Sequence, residues 1–305
     1  MSEELILWTS FSVFVLGMLA LDLGVFHRKS HEVSVKEALT WTAIWIGIAM
    51  AFNLFVYYYF DKETALQFFT AYLVEKSLSI DNIFVIIMIF SYFSVPANYQ
   101  HKVLFWGILG ALVMRAIFIF AGIELIQNFH WLIYVFGGFL VVTGIRMIKS
   151  GDKPMDLERN PLVQFVRKLF PITESFVGDR FFVRQDGKLW ATPLFVVVIL
   201  IEATDLIFAV DSIPAIISIS ENPFIVYTSN VFAILGLRSL YFALAGIERY
   251  FIYLKYGLAA ILVFVGLKMS LADFIKIPVE ISLIVILFLL VISMIASVVI
   301  KSNKK

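Results

Sequence analysis

Long apolar stretches alternate with short polar ones along the whole chain. About 20 apolar residues in a helix cross a bilayer. Nine stretches reach or approach that length: roughly 5–25, 38–60, 65–94, 102–126, 129–148, 192–219, 225–246, 250–271 and 280–300. Only a short turn near Glu248 and Arg249 separates the seventh from the eighth. The pattern predicts an all-α polytopic membrane protein with about nine transmembrane helices. The first stretch follows Glu3 and Glu4 rather than a basic segment, so it reads as a retained helix, not a cleaved signal.

The longest polar connection, 149–191, is punctuated by Pro154, Pro161 and Pro171. Within it Leu162, Val163, Phe165, Val166, Leu169 and Phe170 recur at helical spacing opposite Gln164, Arg167 and Lys168. That predicts a short helix lying on the membrane surface. Asp186-Gly187 further on is a hairpin turn signal. Neither feature carries chemistry by itself.

Basic residues set the orientation. Of the 24 Lys and Arg, only Lys62, Lys268 and Lys276 fall in connections on the side of the N-terminus. Lys76, Arg115 and Arg238 sit inside apolar stretches, and the rest cluster on the opposite side. The expected topology is N-terminus outside, C-terminus cytoplasmic, with an odd number of spans.

Two of the stretches carry the same acidic signature. Segment 75–83 reads EKSLSIDNI and segment 205–213 reads DLIFAVDSI. Each has two carboxylates six residues apart, then a small polar residue: Glu75, Asp81 and Asn82; Asp205, Asp211 and Ser212. The offset, Asp81 to Asp211, is 130 residues. Other pairs repeat as well. Segment 121–124 (AGIE) echoes 245–248, 108–110 (ILG) echoes 234–236, and 140–147 (LVVTGIRM) echoes 262–269 (LVFVGLKM). Spans 3–5 and 6–8 therefore read as copies of three helices. An odd count inserts the second copy upside down, the inverted repeat of many secondary transporters, whose sites lie near mid-membrane between the copies. The implied organisation is peripheral spans 1 and 2 in 1–64, a first repeat in 65–148, the connection 149–191, a second repeat in 192–271, and a ninth span with a basic tail in 272–305.

Composition agrees: 61% of residues are hydrophobic and 15% charged, against about 25% charged in soluble domains. The net charge of +1 gives no basic footprint for a nucleic acid. With no cysteine, and with His27, His31, His101 and His130 outside the apolar cores, thiolate or imidazole metal chemistry is not expected. No Gly-x-Gly-Asp pair or Gly-x-Ser-Gly with a partner histidine occurs at membrane depth, so an enzyme is not expected either.

What remains is oxygen chemistry inside a bilayer. A carboxylate there costs about 2.5–3.5 kcal/mol on insertion scales and defaults to a functional hypothesis. Glu75, Ser79 and Asn82 share a helix face, as do Asp205 and Ser212, whereas Asp81 and Asp211 lie about 100° away at 3.6 residues per turn. Pro214 cannot donate to the Val210 carbonyl, so a kink or unwound stretch is expected around Asp211. The candidate metal ligands are Glu75, Asp81, Asn82, Glu202, Asp205, Asp211 and Ser212. Such oxygens suit Mg2+, Ca2+ or Mn2+, and the same carboxylates can exchange a proton for the metal. Glu75, Asp205 and Asp22 are the candidate proton-coupling or pathway residues, Asp22 serving alternatively as a polar contact between helices. Arg115, Arg238 and Lys76 are candidate counter-ions. Buried bridges alone are the competing reading, but five acids in the two segments face three bases. Glu124 and Glu248 lie near span ends and are expected to reach the interface.

At these residues the sequence resembles the TerC family of integral membrane proteins, most closely its Alx-like branch. Segments 75–82 (EKSLSIDN) and 202–215 (EATDLIFAVDSIPA) match its two long motifs. Segments 21–33 (LDLGVFHRKSHEV) and 232–238 (FAILGLR) resemble further parts of it. The resemblance implies manganese export across the bacterial cytoplasmic membrane, and the family is associated with tellurium resistance and, in the Alx branch, with alkaline pH. The expected function is a secondary transporter exporting a divalent cation, Mn2+ first and Ca2+ or Mg2+ as alternatives, in exchange for protons. The alternative is a non-transporting scaffold or stress-response partner whose acids serve helix association.

Overall fold

The computed structural model describes residues 3–24, 34–129, 131–149, 164, 168, 171–185, 187–245, 253–275 and 277–302. Its helices are α1 (Glu3–Gly24), α2 (Val35–Tyr59), α3 (Lys62–Tyr92), α4 (Ala97–Asn128), α5 (Leu132–Lys149), α6 (Pro193–Ile217), α7 (Pro223–Leu235), α8 (Leu237–Leu244), α9 (Leu254–Ser270) and α10 (Val279–Ser302). Each apolar stretch of the sequence falls on one of them or, for the seventh, on the pair α7–α8. By length and composition five helices (α1, α2, α4, α6 and α10) are apolar enough to cross a membrane, or six with α7–α8 counted as one bent span. The surface helix expected over 162–170 and the turn at Glu248 and Arg249 lie outside the described residues.

Local chemistry sets the helix starts. Ser34 caps α2 by accepting from the Glu37 N–H (3.2 Å), the first half of a Ser-x-x-Glu capping box. Asp61 caps α3 through the Thr64 N–H (2.7 Å), and Asn222, followed by Pro223 at N1, caps α7 through the Phe224 N–H (3.0 Å). The hairpin signalled by Asp186-Gly187 forms: β1 (Phe182–Gln185) pairs antiparallel with β2 (Lys188–Ala191), Gln185 opposite Lys188, with Gly187 at φ 72°.

The second acidic helix differs from expectation. α6 runs without an unwound stretch through Pro214 to Ile217. Ala215, Ile216 and Ile217 beyond the proline are buried in the core, and the Ser218 N–H bonds the Pro214 carbonyl at 3.0 Å, so packing holds the last turn in place. The break lies elsewhere, at Gly236, where α7 and α8 meet at 40°.

Packing is organised around α3 and α6. α3 packs on α6 and α7, α4 packs on α6, and α5 and α9 form the closest helix pair. That last contact is reciprocal. A Cβ on Gly266 would lie 2.6 Å from the Gly137 carbonyl oxygen and 2.9 Å from the Val141 nitrogen. A Cβ on Gly144 would lie 2.7 Å from the Ala259 carbonyl oxygen and 3.2 Å from the Val263 nitrogen. Small residues are what let two backbones approach this closely in a membrane. α1 and α2 wrap α7 through an aromatic web in which Phe52 meets Phe232 (4.8 Å) and Trp8 meets Phe224 (5.1 Å) edge-on.

Candidate ion site

Four helices deliver polar side chains to one buried point. α3 contributes Glu75 and Asn82, seven residues apart and so on one face. α4 contributes Arg115, α6 contributes Asp205, and α7 contributes Asn230. All are at most 5% exposed. Arg115 is the hub. Its Nη1 donates to Glu75 Oε1 and, at 3.4 Å, to Asn230 Oδ1. Its Nη2 reaches Asp205 Oδ1 at 3.0 Å and its Nε reaches Asp205 Oδ2 at 3.3 Å, a forked guanidinium–carboxylate pair. Asn82 Nδ2 donates to the same Asp205 Oδ1 at 2.8 Å. One arginine thus ties together an acid from each of the two signature segments.

The cluster leaves polar atoms over: Glu75 Oε2, Asn82 Oδ1 and Asn230 Nδ2 are buried without a hydrogen-bond partner among the described residues, as is Ser212 Oγ two turns further along α6. A native interior satisfies nearly all such groups. Neighbouring hydroxyls are spent locally by contrast: Ser77 Oγ bonds the Leu73 carbonyl and Thr204 Oγ1 the Ile201 carbonyl. Beside Asp205 lies a cavity of about 20 Å³, lined by Asn82, Gly107, Asp205, Arg238 and Tyr241 among others. That volume holds about one water. Tyr241 Oη donates to Gln100 Oε1 (3.0 Å) near the start of α4.

The remaining sequence candidates divide. Arg238 is buried and lines the cavity. Glu202 lies against Gly110 of α4, with its Oε2 buried and unpartnered among the described residues. Lys76 turns away from the cluster and donates to the Ala233 carbonyl at 3.0 Å. Glu124 is exposed and accepts from Asn128 Nδ2 (2.8 Å). The side chains of Asp22, Asp81 and Asp211 lie outside the described ones. Among the described residues no group of three or more His, Asp or Glu is close enough to hold a metal. Sequence reasoning missed Asn230. The signal was there: Thr228, Ser229 and Asn230 form a polar run inside an otherwise apolar helix.

Comparison with known proteins places the chain in a family. The model of the integral membrane protein TerC family matches residues 60–305. An uncharacterized membrane protein of Myxococcus xanthus is 54% identical over 293 residues, covering 96% of this chain and 92% of the relative. The "putative membrane-bound redox modulator Alx" of Escherichia coli K12 is 47% identical over 299 residues, covering 95% and 93%. An uncharacterized membrane protein of Rickettsia bellii is 44% identical over 295 residues, covering 97% and 98%. No solved structure matches. The buried polar cluster therefore belongs to a multi-pass integral membrane protein of the TerC family.

Proposed function

We propose that this chain is a secondary transporter that exports a divalent cation, Mn2+ first, across the bacterial cytoplasmic membrane in exchange for protons, with its N-terminus outside. The observation that carries the reading is the pair of unpartnered buried oxygens, Glu75 Oε2 and Asn82 Oδ1, at a bridge joining the two signature helices, with Ser212 Oγ likewise unpartnered further along the second. Hard divalent cations take such oxygens. A cation engaging Glu75 and Asp205 competes with the Arg115 guanidinium, so loading and release of Arg115 are linked. Asp81 and Asp211, six residues on from the paired acids, are the further ligands in this reading.

The reciprocal contact of α5 and α9 supports the inverted repeat. At the offset of 122 residues (Gly144 to Gly266), Gly137 corresponds to Ala259 and Val141 to Val263. The contact of Gly266 with Gly137 and Val141 then maps onto that of Gly144 with Ala259 and Val263. A self-complementary contact is the mark of a two-fold axis. Such an axis brings the acidic helices together at mid-membrane.

The name of the Escherichia coli relative, a putative membrane-bound redox modulator, favours a second reading, a membrane partner in redox modulation. This chain has no cysteine, so it supplies no thiol of its own to such a role. Reconstituted liposomes separate the two. Mn2+ flux present in wild type and lost in Asp81→Asn, Glu75→Gln and Asp211→Asn is expected. Absence of flux in well-folded wild-type protein, with the variants altering only abundance, would leave the partner role standing.

A further inference from the structure

The one bent span among the described residues has a lysine at its bend. The last four carbonyls of any helix lack intrahelical donors, and at the end of α7 those groups are buried. Ala233, in that last turn, is 0% exposed, and the Lys76 ammonium from α3 supplies its carbonyl with a donor at 3.0 Å. A cation at a helix C-terminus also complements the helix dipole. Gly236 makes the approach feasible: a Cβ there would lie 3.0 Å from Lys76 Nζ and 3.0 Å from Trp45 Cβ.

The other half of the chain provides an internal control. ILG at 108–110 echoes ILG at 234–236, so Gly110 is the counterpart of Gly236. α4 nevertheless runs unbroken through Gly110 for 32 residues. The side chain packed against Gly110 is Glu202, an acid rather than a cation. With Glu75 laid on Asp205, Lys76 falls on Leu206, whose side chain has no donor. The helix breaks at the glycine that Lys76 approaches and stays whole at its counterpart, where leucine stands in the place of the lysine.

We propose that Lys76 is the positioning residue of the α7–α8 break. Its ammonium holds the end of α7 and so sets the angle at which α8 presents Arg238 and Tyr241 to the cavity beside Asp205. The inference deepens the transport reading but rests on it only for the flux measurement below.

The chain has no cysteine, so Ser239→Cys on α8 gives a single thiol. Its maleimide labelling rate in detergent-purified protein is the conformational readout. Lys76→Leu, which copies the second repeat, removes a charged donor from a buried carbonyl and should raise the rate about tenfold. Lys76→Arg, which keeps charge and donor, should stay within about twofold of wild type, a difference below about 0.5 kcal/mol. If Lys76→Leu does not survive extraction, Lys76→Met takes its place with the same expectation. Equal rates for Lys and the apolar variant overturn the proposal, as does an arginine variant that moves as far as leucine. In liposomes loaded with Mn2+, the apolar variant should lower turnover with a nearly unchanged half-saturating concentration. No flux in wild type defeats the transport reading and leaves the labelling result to judge Lys76.

Discussion

Removing the Arg115 guanidinium should be the most damaging single change in the buried cluster, and the cause can be isolated. Arg115 is 3% exposed and is bonded to two carboxylates, Glu75 at 0% and Asp205 at 5% exposure. In Arg115→Met the side-chain volume is largely kept, but both acids lose their counter-charge. Breaking a buried pair from one side costs about 3–5 kcal/mol, a large part of the roughly 5–15 kcal/mol that holds an ordinary domain folded. At roughly 2–4 °C per kcal/mol for a chain of this order of size, the unfolding midpoint in detergent should fall by about 10 °C. Neutralising the acids as well removes the reason for that loss. Arg115→Met combined with Glu75→Gln and Asp205→Asn should regain most of the midpoint, since replacing a whole buried ion cluster by neutral groups is often near neutral. Saturating Mn2+ offers a second route. If the cation takes the place of the guanidinium, about 100-fold excess over its dissociation constant restores about 2.7 kcal/mol to Arg115→Met and gives nothing to the triple variant. A midpoint for Arg115→Met within about 2 °C of wild type, less than 1 kcal/mol, refutes the argument that the bridge carries this cost.

Three further outcomes are expected. Asn82→Leu deletes a 2.8 Å hydrogen bond to Asp205, itself paired with Arg115, and should lower stability by about 1–3 kcal/mol in thermal unfolding, whereas an Asn82 that only fills space would tolerate leucine. Gly137→Ala and Gly266→Ala each drive a methyl to within 2.8 Å and 2.6 Å of the other helix's carbonyl oxygen; each should cost about 1–3 kcal/mol by the same measurement, while Gly138→Ala, with nothing within 4 Å, should not. At the polar ends, Asp61 and Asp179 are held below the usual carboxylate range, Asp61 by hydrogen bonds from Thr64 and Asp179 by its bond to Lys102. A depressed folded pKa stabilises above the unfolded value near 3.8 and the gain disappears as pH falls through the lower folded one. Limited proteolysis of the 171–181 segment should therefore accelerate below that value, and Asp179→Asn should be fast at every pH.

The helices were legible because apolar length is a cumulative signal. Even α3, too charged to pass as a span by composition, is legible as the apolar stretch 65–94. Pairing within the site was legible only in part, because spacing reports which side chains share a face but not which partner stands opposite. The motif placed Glu75 and Asp205 on equivalent faces; that a single arginine from α4 would meet both, with Asn230 behind it, depends on how four helices cross. Pro214 and Gly236 show the limit most sharply. A proline removes a donor wherever it stands, yet one near a helix end, with Ala215, Ile216 and Ile217 buried beyond it, leaves the helix continuous. A glycine removes only a methyl, yet Gly236 lets Trp45 and Lys76 close on the backbone, and the helix ends there. Local chain chemistry proposes where a helix can break, and the donor that a neighbouring helix brings decides where it does.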